Sequence, residues 1–305
     1  MRPKDWGAFL LLGTIWGSSF LWIKIAVADI APTTLAAFRL LFGLIGLLTV
    51  AWLTRQRFDA VRRHWRAYLF MGFFNTAFPF MLINWAETRI DSALAAILNA
   101  TAPLFAFIIA HFWQADEKMT PTRTAGLVMG FAGVIVLVSR EFSPQGVHAS
   151  LWGQVAMLVA STSYALSANY SRRYLRGHPP LLQATMVVLF ADAISWAVAL
   201  STDRPFGAPS AWLTWFALAW LGLLGSCTAY LLYFYLINRV GASRSSLVTY
   251  VFPVVGLLLG IIFLDEIMDW HLVVGSALVV GGIAVINRPA RPQAVPAGRN
   301  IAQES

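Results

Sequence analysis

Two stretches of this chain repeat one pattern. Arg89 leads an apolar run through Pro103, then come Asp116-Glu117-Lys118-Met119, Gly126 and Gly133. Arg239 leads a second run through Pro253, then Asp265-Glu266-Ile267-Met268, Gly275 and Gly282. Arg and Pro match at an offset of 150; Asp, Glu, Met and both glycines match at 149, so one residue is lost between them. Duplicated apolar hairpins of this size are the mark of membrane proteins built from two halves, transporters above all.

Composition explains why the hairpins belong in lipid. Apolar residues make up 58% of the chain and charged residues 12%, about half the charge an average soluble domain carries. The apolar residues fall in runs of about 20, the length that crosses roughly 30 Å of hydrocarbon as helix. They do not alternate with polar residues, which favours helices over a barrel. The expected fold is an all-α integral membrane protein of ten transmembrane helices, arranged as two inverted five-helix repeats. The expected spans are 6–26, 34–53, 66–85, 92–113, 122–139, 151–170, 181–200, 212–236, 243–264 and 270–287. Residues 6–139 and 151–287 form the two halves. The proline-bearing tail, 288–305, reads as a disordered cytoplasmic end. The first run lacks a small-residue cleavage site, so it reads as a span and not as a removed signal.

The net charge of +8 is distributed asymmetrically. With the N-terminus inside, seventeen of the 22 Lys and Arg residues fall in inner segments. Three (Arg89, Arg140, Arg204) fall outside, and Lys24 and Arg39 lie within spans. That bias sets both termini in the cytoplasm. It accounts for the basic character through the anionic inner leaflet, without nucleic acid. Five spans per half is odd, so the halves insert in opposite senses, which places a substrate site near the midplane between them.

The single cysteine, Cys227, excludes an internal disulfide and a Cys-based metal site. The five histidines lie in loops or near span ends, and no hydrolase, zinc-protease or phosphate-loop motif is present. The expectation is therefore a non-enzyme without cofactor. A membrane-embedded enzyme or lipid-handling protein is the alternative.

Polar groups inside the runs mark candidates. Pro79, Pro103 and Pro253 each free the carbonyl four residues earlier, at Asn75, Asn99 and Thr249. Either these face an aqueous cavity, or Asn, Thr and water re-satisfy the kink between packed helices. Tyr164, among Ser161, Thr162, Ser163, Ser167 and Asn169, and Tyr230 need partners for mid-depth hydroxyls. Trp16 is either cavity wall or core. Charges at depth cost roughly 2.5–3.5 kcal/mol on insertion scales. Lys24 and Arg39 are close enough to the outer surface to snorkel, or to draw anions to an outer mouth. Asp192 lies roughly 12 Å from one end of its span by helix rise. It is a candidate for proton coupling, a partner for Arg39, or a locally bonded packing residue.

Taken together, Trp16-Gly17, Arg39 after Pro32, Asn99-Ala100-Thr101-Ala102-Pro103 and both Asp-Glu-x-Met loops with their glycines resemble the ten-helix drug/metabolite transporter superfamily, of the type with two EamA domains. The likeness covers the chain to about Asn287. It implies a helical basket working by alternating access on small organic solutes, such as amino acids, commonly exported. In that superfamily spans one, three, four, six, eight and nine bound the cavity. This supports Trp16, Asn75, Asn99, Tyr164 and Tyr230 as substrate-binding residues and adds Tyr250, the counterpart of Ala100. It also makes span seven, with Asp192, peripheral. Glu117 and Glu266 read as structural, holding the hairpin turns. The second half lacks a clear match to the Trp16-Gly17 pair, with Thr162-Ser163-Tyr164 in that region, and span seven has no equivalent of Arg39, so a one-sided site is expected, suited to a neutral, zwitterionic or amphipathic solute.

Overall fold

The computed structural model describes residues 2–56, 61–114, 118–139, 142–143, 146–147, 149–204, 206–240 and 246–287. The tail 288–305 and the Asp116-Glu117 pair lie outside the described residues.

The apolar runs become helices, several opened by proline at the first helical position, where its missing N–H costs nothing. α1 is Pro3–Ala26 and α2 is Pro32–Leu53. α3 runs Val61–Met71, widens into a π-helical turn over Gly72–Ala77, and continues as Phe78–Glu87. α4 is broken between Ser92–Asn99 and Ala102–Trp113, just ahead of Pro103. α5 is Pro121–Ser139, α6 Ala149–Tyr174 and α7 Pro180–Thr202. α8 runs Trp212–Ala219, takes a π-helical turn over Trp220–Thr228, and resumes as Ala229–Val240. α9 begins as a 3₁₀ turn, Ser246–Tyr250, and straightens over Val251–Leu264; α10 is Trp270–Ile286. A two-residue antiparallel ladder, Phe142–Ser143 with Gly146–Val147, lies between α5 and α6, a feature too short for sequence periodicity to reveal.

Seven helices, including α1–α5, are long and apolar enough to cross a membrane. Large side chains such as Ile45, Val128, Ile135, Leu258 and Ile262 face outward, an apolar surface that lipid and not water would cover. The protein is a multi-pass membrane protein.

Small residues set the close crossings. α5 and α10 pass each other where Gly126 faces Gly282 and Gly133 faces Gly275. A Cβ on Gly126 would sit 2.7 Å from the Gly282 carbonyl oxygen, and one on Gly282 would sit 2.5 Å from the Gly126 oxygen. The pairing runs 126 to 282 and 133 to 275, so the helices are antiparallel. Other pairs also recur between halves: α2 lies on α7, α1 on α9, and α4 on α6. Cys227 is buried, its Cβ and Sγ against the place a Gly46 side chain would take.

One end of the bundle is tied by carboxylates that cap helix N-termini, where backbone N–H groups lack helical partners. Asp29 accepts from the Ser210 hydroxyl and from the N–H groups of Ser210 (3.0 Å) and Ala211 (3.1 Å), at the start of α8. Asp203 accepts from the hydroxyls of Thr33 and Thr34 and from the Thr34 N–H (3.1 Å), at the start of α2. Glu266 was expected to hold its own hairpin turn. It reaches instead into the first half, accepting from the N–H groups of Ser92 (2.7 Å) and Ala93 (2.9 Å) at the start of α4. A helix N-terminus is the stronger attractor for a carboxylate than a turn.

These caps titrate. The Ser210 hydroxyl, then Thr214 and the Ala211 N–H, hold Asp29 at about 2, down from 3.8. Because the folded value is the lower one, the cap's contribution is complete above pH 3.8 and is lost as pH falls through about 2. Thermal unfolding of the native chain is expected to drop more steeply between those pH values than unfolding of Asp29→Asn. Parallel pH profiles would refute the assignment.

Candidate functional site

A cavity of about 520 Å³ lies inside the bundle, reached by α1, α2, α3, α4, α6, α8, α9 and α10. It runs from the buried Ile23 and Ile83 to Arg172 and Asn287, both exposed at its open end.

Irregular backbone surrounds it. The π-helical turns of α3 and α8 and the break in α4 present Asn75, Gly225 and Asn99 to the cavity. Such backbone is tolerated at membrane depth where it lines a cavity or meets protein partners. Trp16 forms part of the wall: its indole Nε1 donates to the Gly225 carbonyl at 3.1 Å, and its ring packs against Tyr230, Tyr233 and Phe252. Asn75 Nδ2 makes a long 3.4 Å bond to the Tyr230 hydroxyl. Tyr164 lines the cavity from α6.

Serines on α6 meet backbone carbonyls at the irregular turns of α3 and α4. Ser161 on α6 donates to Leu98 (3.0 Å) and, more weakly, to Asn99 (3.4 Å). Ser163 donates to the Phe74 carbonyl at 2.5 Å. The polar run on α6 thus re-satisfies kinks in α3 and α4, and the Asn99 side chain is what remains for the cavity. Its Oδ1 is buried and has no hydrogen-bond partner.

Tyr250 is not among the lining residues. The 3₁₀ winding turns Val248 and Thr249 to the cavity, while the Tyr250 hydroxyl accepts from Asn287 Nδ2 at 2.9 Å. Asp192 also lies outside the cavity, on the α7 face that packs on α2 and α3, beside Trp196. It makes no ion pair with Arg39. That guanidinium does not snorkel outward; it lies 3.9 Å over the Phe80 ring, its Nε 3.4 Å from the Ser226 hydroxyl, and lines the cavity.

Outside the cavity lining lies a buried acid that sequence reading passed over. Glu87, at the C-terminus of α3, is fully buried with neither carboxylate oxygen hydrogen-bonded. Lys24 does not take that carboxylate; its ammonium donates to the Glu87 and Ile90 carbonyls, at 2.8 and 2.7 Å. Helix spacing was the available signal, since Phe80, Ile83 and Glu87 share one face and the first two are apolar. Among the described residues, no cluster of His, Cys, Asp or Glu could hold a metal ion.

Comparison with known proteins adds an independent line. Residues 6–139 and 151–288 each match the model of the EamA-like transporter family. The chain is 28% identical to the uncharacterized inner membrane transporter YedA of Escherichia coli K12, covering 98% of this chain and 97% of that one. It is 25% identical to the uncharacterized transporter YoaV of Bacillus subtilis, covering 88% and 91%. A solved crystal structure superposes with a TM-score of 0.67 at 21% identity, covering 94% of this chain and 98% of that chain.

Proposed function

The chain belongs to the EamA-like transporter family, and from that premise we propose that it is a secondary transporter exporting small organic metabolites, amino acids or related amphipathic solutes, across the plasma membrane by alternating access. The observation that carries the proposal is the cavity: about 520 Å³, the size of a small-molecule site, reached at one end and sealed at the other. In this reading ten helices form two inverted five-helix repeats of residues 6–139 and 151–287. The antiparallel glycine crossing of α5 and α10, and the recurring helix pairs, support it. The charge bias supports both termini, and with them the open end, lying in the cytoplasm. The sealed end then faces outward, tied by Asp29, Asp203 and Glu266. A bacterial inner membrane suits the chain, as it does the relative from Escherichia coli.

Trp16, Asn75, Asn99, Tyr164 and Tyr230 are the proposed substrate contacts, with Tyr250 acting through Asn287 at the mouth. The proposed proton-coupling role of Asp192 needs transmission through α7, because the carboxylate does not face the cavity. If Asp192→Asn keeps the pH dependence of transport, that role falls.

The test is efflux from proteoliposomes loaded with mixed labelled amino acids, with and without a pH gradient. Efflux of one class is expected, lowered about tenfold in Asn99→Ala and Tyr164→Ala. That corresponds to the loss of one buried polar contact of about 1.4 kcal/mol. A well-folded protein that moves none of them overturns the amino-acid reading.

A further inference from the structure

We propose that Arg39 is an anion-binding subsite of the cavity, and that the transported solute carries a single carboxylate on an apolar or aromatic body. The inference rests on the transporter reading of the same cavity and names its substrate class.

Arg39 is 6% exposed, so its charge is held deep in the bundle. A buried cation is costly unless other groups meet it. Among the described residues no carboxylate pairs with it, and of its five N–H donors the one that makes a hydrogen bond there is Nε, 3.4 Å from the Ser226 hydroxyl. The Ser226 hydroxyl is itself engaged with the Leu221 carbonyl at 3.2 Å. The nearby acids are committed or distant. Glu266 caps α4, and Glu87 interacts with Arg39 only as a separate charge, without an ion-pair contact. The Phe80 ring, with the guanidinium carbon 3.9 Å from its centroid, offsets part of the cost of burial. A guanidinium is a planar fork that can take a carboxylate through two parallel bonds.

The rest of the lining sets the ligand's remaining chemistry. Among the described residues Arg39 and Arg172 are the charged members of the lining, and Arg172 sits exposed at the mouth. A doubly charged phosphate would meet one buried cation, too little compensation for its second charge. A lipophilic cation would meet Arg39 itself and no acid. Trp16, Tyr230 and Phe252 offer ring faces for an apolar body. Asn75 and Asn99 add neutral polar side chains to the lining.

The experiment is equilibrium binding to the purified full-length chain in detergent, read by thermal unfolding against three isosteric probes: 3-phenylpropionate, 3-phenylpropan-1-ol and 3-phenylpropan-1-amine. The acid is expected to stabilise at a concentration at least about tenfold below the alcohol or amine. Arg39→Gln is expected to erase that preference, and Arg39→Lys to keep its sign while weakening it. If Arg39→Gln does not fold, Arg39→Lys carries the test, and binding equal to the native chain overturns the assignment. So does an alcohol or amine that matches the acid, or an acid preference that survives Arg39→Gln. This readout is independent of transport. A missing acid preference overturns the subsite and leaves the efflux result standing, whereas an intact preference without efflux overturns transport alone.

Discussion

Replacing Gly282 with alanine lowers the unfolding temperature of the purified protein and its yield as a monodisperse species, whereas Gly7→Ala leaves both unchanged or raises them. The two substitutions add the same methyl group to the same kind of backbone. At Gly7 nothing lies within 4 Å of the new atom, and alanine gains up to about 1 kcal/mol of helix propensity over glycine. At Gly282 the methyl would sit 2.5 Å from both the Gly126 carbonyl oxygen and the Gly130 nitrogen, and 2.7 Å from the Gly130 Cα. These are backbone atoms, which cannot swing aside as a side-chain tip can. α5 and α10 must separate, and overpacking of this kind costs about 1–3 kcal/mol. Close backbone approach is also what drives helix association in lipid, where no hydrophobic force distinguishes a neighbouring helix from an acyl chain. Equal unfolding temperatures for the two variants would refute the crossing.

Glu266→Ala has the second large effect. The side chain accepts two backbone N–H groups at the start of α4, and both lose their partner when it is truncated. Hydrogen bonds to a charged group contribute about 1.5–3 kcal/mol each, so a loss of about 1.5–3 kcal/mol is expected even if water rescues one amide. Glu266→Gln keeps an acceptor for one of them and should cost roughly half as much. Because the contact joins the second half to the first, hydrogen exchange at the Ser92 and Ala93 amides should quicken in Glu266→Ala. Unchanged exchange there would sink the account.

The helical class of the fold was written in the apolar runs, since only intra-segment hydrogen bonding satisfies a backbone in lipid. Cavity-facing Trp16, Asn75, Asn99, Tyr164 and Tyr230 stood out in sequence for a related reason: a polar or large amphipathic group in an apolar run needs somewhere to go. What sequence did not supply was azimuth. Depth along a helix says how far Arg39 is from the surface, but not whether it turns outward or over Phe80. The π-helical turns compound this, because each adds a residue to a turn and rotates every later face of α3 and α8. Glu87 was missed because its span was ended at Trp85, which made a buried residue look like a loop charge. Tyr250 was transferred through its counterpart Ala100, and a 3₁₀ turn is where such a transfer loses its meaning.

The burial of Cys227 has an experimental consequence. This chain has one thiol, and it is packed against α2 away from water, where a thiol is chemically quiet. A cysteine introduced at Asn287 or at Ile90 would therefore be the sole reactive one, without first stripping the protein of others. Maleimide labelling at each position in turn would report which end of the bundle water reaches, and how that exchange of access responds when solute is added.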